Sequence, residues 1–128
     1  MFTLTKKSDY GLALLTVLAS RGKKGRVSLN ELADMGMPRA FMAKIAVALV
    51  EAGIINSKEG RNGGYCLNYE PGEIGVKEAL EAIEGEVEAA ECGGCPAGDS
   101  CGQQGFMQRL TDDINKVLEK YSLADLKK

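Results

Sequence analysis

Three cysteines close together carry the most chemistry in this sequence. Cys92, Cys95 and Cys101 follow the spacing C-x2-C-x5-C, and the residues between them include three glycines and Pro96. Such a segment can bring three thiolates to one centre, and thiolate is a soft ligand that suits zinc or an iron–sulfur cluster. A structural zinc site would ordinarily add a fourth Cys or a His, and this segment offers neither. The spacing therefore favours a cluster whose last iron takes a weaker ligand or none. A thiol–disulfide loop and cysteines without a shared role are the alternatives.

The rest of the composition narrows the function. The chain has 128 residues and no His, which removes Ser/His and Cys/His catalytic pairs and the commonest general base near neutral pH. No other residue set offers a nucleophile with its base, so an enzyme is not expected. The longest apolar stretch, residues 12–19, is far shorter than the roughly 20 residues that cross a bilayer, and residues 1–7 lack the order of a signal peptide. We expect a cytoplasmic protein with no membrane partner, in which cysteines serve as ligands or redox thiols more often than as disulfides.

Charge divides the chain unequally. Residues 1–66 hold 10 basic and 5 acidic side chains, a net charge of +5, whereas residues 67–128 hold 6 and 13, a net charge of −7. This asymmetry indicates a basic half that meets a polyanion and an acidic half with another role. The length of the chain is that of a single domain.

The elements of the basic half predict a helix-turn-helix. Apolar spacing predicts an amphipathic helix over residues 5–21, and Ser28 and Glu31 form the capping box of a second, short helix. A third helix is predicted from Pro38 to the glycine at position 53, with a core stripe at Phe41, Ile45, Ala48, Leu49 and Ala52. Two helices joined by a tight turn that contains glycine are typical of a helix-turn-helix.

A hairpin follows these helices. Residues 54–58 and 65–69 are strand-like, and the loop between them contains Asn62-Gly63, a strong hairpin signal. Three helices and a hairpin predict a winged helix-turn-helix over residues 1–71, within a mainly α fold. We expect residues 72–128 to form a second region: a helix over 76–84, a cysteine loop over 86–104, and a long C-terminal helix. The long helix carries an apolar stripe at Phe106, Leu110, Ile114, Val117, Leu118 and Tyr121.

A helix-turn-helix reads double-stranded DNA by placing its second helix in the major groove. Arg39, in the first turn of that helix, is the best candidate for reading a base, because its planar fork can hold two acceptors on guanine. Lys44 is more typical of a phosphate contact, and any one of these basic residues alone is also typical of a solvated surface. The predicted DNA-binding residues are Ser28, Arg39, Ala40, Met42, Lys44, Lys58, Arg61, Asn62 and Gly63. Cys66, with apolar neighbours in a strand, is predicted to be a buried small side chain.

These residues resemble the Rrf2 family of bacterial transcriptional regulators, the group of the iron–sulfur biogenesis regulator and the nitric-oxide-sensing repressor. The likeness covers nearly the whole chain. It rests on LTKKSDYGL at 4–12, VSLNELA at 27–33, EAGII at 51–55, GRNGGY at 60–65, the helix at 74–84, the cysteine triplet and YSLADL at 121–126. The resemblance implies a homodimer formed through the long helix that carries Phe106 to Tyr121. It also implies a [2Fe–2S] or [4Fe–4S] cluster on the three cysteines, whose state alters binding to promoter DNA.

The resemblance also suggests a fourth ligand. In the nitric-oxide-sensing relatives a carboxylate near the start of the first helix, donated by the other subunit, completes the cluster, and Asp9 stands at that position here. The alternative is that Asp9 only favours the helix macrodipole. The first two cysteines are closer together than in the best-studied members, and the His of the biogenesis regulator is absent. The cluster type therefore stays open, as do two other readings: a cluster-free thiol or zinc regulator, and a small electron carrier.

Overall fold

The computed structural model describes residues 5–60, 63–85 and 104–126, with the backbone alone at Gln104. In this part of the chain helices dominate and a two-stranded antiparallel hairpin follows the third of them, which confirms the predicted mainly α class with a wing. The elements are α1 (Lys6–Arg21), α2 (Leu29–Asp34), α3 (Arg39–Glu51), β1 (Ile55–Lys58), β2 (Gly64–Leu67), α4 (Val76–Glu84) and α5 (Gln104–Glu119), with 3-10 turns at Pro71–Glu73 and Leu123–Asp125.

Helix α1 begins and ends as its sequence predicts. Thr5 is the N-cap, and its hydroxyl accepts a hydrogen bond from the backbone N–H of Ser8 at 3.1 Å. Gly22 ends the helix with a φ of 79°, a conformation that glycine adopts without a steric penalty. The buried face packs against both α3 and α4. It includes four side chains that are at most 1% exposed: Leu14, Leu15, Leu18 and Ala19.

The turn between α2 and α3 holds the helix-turn-helix together. Ser28 caps α2 by accepting from the N–H of Glu31 at 3.1 Å, as predicted. The carboxylate of Glu31, however, forms an ion pair with Arg21 at 2.8 Å instead of returning to the cap. Gly36, with a φ of 93°, makes the turn before Pro38 and α3.

The buried face of helix α3 is only partly the one predicted. Ile45 and Leu49 are buried as predicted, Phe41 and Ala48 are half-buried and Ala52 is exposed, whereas Met42 and Ala46 are also buried. Met42 is completely buried, so its predicted place on the DNA-reading face is wrong. The reason is that α3 is apolar nearly all round, so apolar spacing does not determine which side faces the core. The contacts of α3 with α1, α2 and α4 decide it, and Phe41 packs at the edge of the core with its ring edge against Tyr10, at 5.6 Å between ring centroids.

The hairpin is joined to the helix-turn-helix at its edge. β1 and β2 pair from Ile55 opposite Leu67 to Lys58 opposite Gly64. Val27, just before α2, bridges to Tyr65 through two backbone hydrogen bonds of 2.7 and 3.0 Å. Gly64 is required in this bridge, because a Cβ there would lie 2.6 Å from the carbonyl oxygen of Val27. The wing is therefore held at a fixed position beside the start of α2.

Helix α4 matches its prediction in bounds and in buried face. Val76, Ala79, Leu80 and Ile83 are buried, and Gly85 is the C-cap. These side chains belong to the same hydrophobic cluster as the core of α1 and α3. The division at residue 71 into a DNA-binding region and a sensing region stays a prediction. Buried side chains from both sides of that position belong to one hydrophobic cluster.

The chain after α5 returns to this core. Leu123 is completely buried, and backbone hydrogen bonds join it to Ile74 at 2.9 Å and Val76 to Tyr121 at 3.0 Å. Lys77 on α4 donates to Glu119 on α5 at 3.1 Å, and this hydrogen bond raises the pKa of Lys77 above its ordinary value. The C-terminal end of α5 is thus tied to α4. Within the described ranges, no helix is both long enough and apolar enough to span a bilayer.

Candidate nucleic-acid interface and cluster segment

A groove opens between the helix-turn-helix and the wing. It has a volume of about 740 Å³ and lies between the start of α2, the start of α3 and the tip of the hairpin. Four of the predicted DNA-binding residues line it: Ser28, Arg39, Lys58 and Gly63. The fold therefore brings together residues that are up to 35 positions apart in the chain (Ser28 to Gly63).

Arg39 is held at the mouth of this groove. It is exposed in the first turn of α3, and its Nη1 donates a hydrogen bond to Oδ1 of Asn30 on α2. Asn30 also lines the groove, and the sequence prediction missed it. The position of Asn30 in the capped first turn of α2, where a polar side chain faces the following helix, could have indicated this role.

The remaining predicted DNA-binding residues fall into two groups. Ala40 and Lys44 are exposed on α3, on the side away from buried Ile45 and Leu49. Arg61 and Asn62 lie outside the described residues. Val47 on the same helix is 56% exposed, so the outward face of α3 combines a cation with small and apolar side chains.

The cysteine triplet lies outside the described residues, since it falls within residues 86–103. In the described ranges, no group of three Cys, Asp or Glu side chains is placed to hold a metal ion. What the structure defines is where the cysteine segment starts. Glu84, the last residue of α4, accepts hydrogen bonds from the hydroxyls of Thr5 and Ser8 on α1, the latter at 3.3 Å. The chain thus enters the cysteine segment beside the first turn of α1.

Asp9 belongs to this same turn. Its side chain is exposed, next to Ser8, which is 3% exposed and buried against α4. The carboxylates of Asp9 and Glu84 both lie at the N-terminal end of α1, where the helix dipole favours negative charge. The role of Asp9 as a ligand stays a prediction.

The predicted dimer residues form an apolar row on α5 and the turn after it. Phe106, Leu110, Val117 and Tyr121 are between 38% and 53% exposed. Ile114 is partly buried, and Leu118 packs against the core.

Cys66 is 7% exposed, which confirms it as a buried side chain, and its thiol donates to Oδ1 of Asn56 at 3.2 Å.

Comparison with known proteins agrees with this architecture. The sequence profile of the Rrf2 family, described as iron-dependent transcriptional regulators, matches residues 4–128. The HTH-type transcriptional regulator IscR of Cronobacter sakazakii is 28% identical over 127 residues, which cover 96% of this chain and 78% of that protein.

Two solved structures have the same fold over nearly the whole chain. CymR of B. subtilis, the global cysteine regulator, superposes with a TM-score of 0.80 at 26% identity and covers 98% of this chain and 96% of its own. IscR of T. potens superposes with a TM-score of 0.78 at 25% identity and covers 98% of this chain and 85% of its own. The chain belongs to the Rrf2 family of transcriptional regulators.

Proposed function

We propose that this regulator binds promoter DNA through the groove between the helix-turn-helix and the wing. The observation that carries the proposal is the convergence of Arg39 and Lys58 on that groove. An α-helix fits the major groove of B-DNA, and an arginine in its first turn can bind two acceptors on guanine. Gly60 and Gly63 in the wing leave room for a sugar-phosphate backbone to approach closely.

The protein acts as a homodimer in this proposal. Leu110 and Val117 are one heptad apart, so they lie on one side of α5, and both are exposed in the single chain. A large apolar row that faces solvent is typical of a protein–protein interface. A dimer would present two recognition helices to half-sites about one turn of DNA apart.

The proposal gives the sensing role to an iron–sulfur cluster on Cys92, Cys95 and Cys101. Support comes from the donor chemistry of three thiolates, from the family's description as iron-dependent, and from the IscR relatives. Asp9 of the partner subunit is proposed as the fourth ligand, because its carboxylate is exposed and lies in the turn of α1 that contacts the end of α4. When bound, the cluster supplies a centre that responds to iron and to redox chemistry.

The contact between α1 and the end of α4 provides a route from the cluster to the DNA. Thr5 and Ser8 bind Glu84, only eight positions before Cys92, and α1 packs directly on recognition helix α3. A change in the cysteine segment would therefore act on the helix that supports the DNA-reading face. DNA would respond because the two recognition helices of a dimer must keep one spacing.

The DNA-binding part is tested with a duplex that the wild-type protein selects from a random library. Arg39→Ala and Lys58→Ala should each weaken binding of that duplex, and Arg39→Ala should also relax the preference at one base pair. Lys120→Ala, an exposed lysine at the end of α5, is the matched control and should bind like wild type. Equal affinity for Arg39→Ala and wild type would refute the assignment of the groove.

The ligand role of Asp9 is tested by cluster lifetime. Asp9→Ala should load a cluster anaerobically but lose its visible absorption faster than wild type on exposure to air. Asp34→Ala, which removes another exposed acid at the end of α2, is the control. If the two variants lose the cluster at the same rate, Asp9 is not a ligand.

A cluster-free thiol regulator is the second candidate, and the likeness to CymR favours it. CymR of B. subtilis, the global cysteine regulator, superposes with a TM-score of 0.80, against 0.78 for IscR of T. potens. In this case Cys92, Cys95 and Cys101 would switch between thiol and disulfide. Such a protein would be colourless after anaerobic purification.

A further inference from the structure

Asn30 on α2 contacts Arg39 on α3 inside the groove between the helix-turn-helix and the wing. Its Oδ1 accepts the hydrogen bond from Nη1 of Arg39, and both side chains line the groove. The two residues belong to different helices and are nine positions apart in the chain. The direction of an exposed arginine is therefore fixed from outside its own helix.

This hydrogen bond leaves the base-reading part of the guanidinium free. An arginine side chain has five N–H donors in one plane, and Nη1 supplies the one that Asn30 accepts. Nε and Nη2 form another edge of the plane, and each of them directs an N–H outward from that edge. Such an edge matches O6 and N7, the two acceptors that guanine presents in the major groove. Asn30 can thus hold Arg39 without occupying the atoms that bind the base.

The partner of Arg39 is a neutral amide, so the arginine keeps its full charge for DNA. The acid beside it on α2, Glu31, pairs with Arg21 at 2.8 Å instead. A carboxylate in the place of Asn30 would reduce the net charge of this part of the groove and repel the phosphates of a duplex. The amide restrains the arginine and leaves its attraction for DNA intact.

The helices that carry Asn30 and Arg39 are held in one relative position. Leu32 on α2 and Met42 on α3 are completely buried in the same core. In the turn between the helices, the N–H of Met37 donates to the carbonyl of Leu32 at 3.1 Å. The acceptor oxygen of Asn30 is therefore presented from a fixed backbone. An arginine that is ordered before binding loses less side-chain entropy when DNA arrives.

We propose that Asn30 is a positioning residue for Arg39 and sets how strictly the regulator requires guanine at one base pair of each half-site. The inference rests on the proposed function, because it needs Arg39 to contact DNA from this groove. Without the acceptor of Asn30, the guanidinium would sample more rotamers and reach acceptors on other bases and on phosphates. Phosphate contacts carry no sequence information, so the loss should appear in base preference more than in overall affinity.

The inference is tested by the base preference at the pair that Arg39 reads. The whole chain, purified anaerobically, is titrated with the duplex that wild type selects and with duplexes changed at the one pair where Arg39→Ala loses its preference. Asn30→Ala should lower the affinity ratio at this pair about three- to tenfold, the range for one hydrogen bond. It should bind the changed duplexes like wild type. In the Arg39→Ala background it should have no further effect, because Asn30 acts through Arg39.

Two controls separate positioning from other roles. Asn30→Asp keeps an acceptor oxygen beside Arg39, so it should keep the base preference while its negative charge weakens the binding of every duplex. Ser57→Ala removes another neutral polar side chain of the same groove and should keep the preference of wild type. Asn30 is exposed, so Asn30→Ala should keep the melting temperature of wild type.

The possible failures are distinguishable. If Arg39→Ala loses the base preference and Asn30→Ala keeps it, Asn30 does not position Arg39 and the inference is overturned. The same conclusion follows if Asn30→Ala weakens binding equally with and without Arg39, because Asn30 would then contact DNA itself. A wild-type preference in both Arg39→Ala and Asn30→Ala would refute the groove as the DNA-reading site, and the proposed function would fall together with the inference.

Discussion

The contact between α1 and α4 depends on a glycine, and this dependence gives a quantitative prediction. A Cβ on Gly11 would lie 2.3 Å from Cδ1 of Ile83 and 3.2 Å from its Cγ1. Carbon atoms in contact prefer about 3.5–4.0 Å, so Gly11→Ala requires a shift of more than about 1 Å. Overpacking of this kind costs about 1–3 kcal/mol, whereas replacing glycine by alanine inside a helix gains about 1 kcal/mol. We expect Gly11→Ala to lower the free energy of unfolding by about 1 kcal/mol, against the helix propensity.

A double-mutant cycle isolates the steric term. Ile83→Val removes the Cδ1 atom that the new methyl group would meet, and alone it should cost about 1 kcal/mol. In the Gly11→Ala/Ile83→Val protein the clash is relieved while the helix propensity is kept, so its stability should return close to that of wild type. The coupling between the two changes should therefore be about 2 kcal/mol. Urea denaturation of the metal-free protein at one fixed concentration measures it, because dimerisation makes stability depend on concentration.

A clash between Gly11→Ala and Ile83 is refuted if Gly11→Ala stabilises the protein by about 1 kcal/mol, the value for unhindered helix propensity, and shows no coupling with Ile83→Val. That result would mean that the side chain of Ile83 moves aside for the new methyl group at little cost. Gly72→Ala is the matched control, since a Cβ there meets nothing within 4 Å and the backbone has no positive φ.

Three further predictions follow from the same structure. Met42→Ala should lower the free energy of unfolding by about 2–5 kcal/mol because its side chain is fully buried. Lys44→Ala, the control, should leave the free energy of unfolding unchanged within about 0.5 kcal/mol. Thermal or urea denaturation compares the two variants, and equal effects would contradict the orientation of α3. Leu110→Ser/Val117→Ser should weaken self-association more than tenfold, as measured by sedimentation, since burial of each side chain contributes about 1.5–3 kcal/mol. Lys116→Ser/Lys120→Ser, the control, should not weaken it. An unchanged dimer would exclude this face of α5 as the dimer interface. The hydrogen bond that Lys77 donates to Glu119 raises the pKa of Lys77. The contribution of this pair to stability should therefore be complete below the ordinary lysine pKa and disappear as pH rises through the raised value. The stability difference between wild type and Lys77→Met should narrow across alkaline pH, and a constant difference would argue against the pairing.

The accuracy of the sequence-based prediction differs between α4 and α3 for a physical reason. In α4 the buried positions Val76, Ala79, Leu80 and Ile83 alternate with Lys77, Glu78 and Glu81, so polarity alone determines which side faces the core. In α3 the apolar residues occupy nearly every side, and only packing against α1, α2 and α4 selects Met42 and Ala46 for the core. Sequence patterns therefore predicted α3 and the exposure of Arg39, Ala40 and Lys44, but placed Met42 on the wrong side of the helix.

The contacts that position the candidate site were not predictable from local sequence. Arg39 and Asn30 belong to different helices, and Thr5 and Glu84 are 79 positions apart. Each of these side chains alone is an ordinary polar surface residue. Their pairing follows from the angle between α2 and α3 and from the packing of α1 on α4, which only the folded chain defines. Asp9, by contrast, could be singled out from the sequence because its motif position and its place in the first helical turn coincide.

The proposed function depends on an iron–sulfur cluster that is held by the three cysteines and controls DNA binding. It is tested most directly by anaerobic purification of the wild-type protein, with a visible spectrum, iron and sulfide analysis, and titration of the selected duplex before and after the cluster is removed. We expect a brown protein with matching iron and sulfide, a loss of both in Cys92→Ser, and a change in duplex affinity on cluster removal. A colourless wild-type protein without iron or sulfide, whose duplex affinity is the same as that of Cys92→Ser, would contradict it.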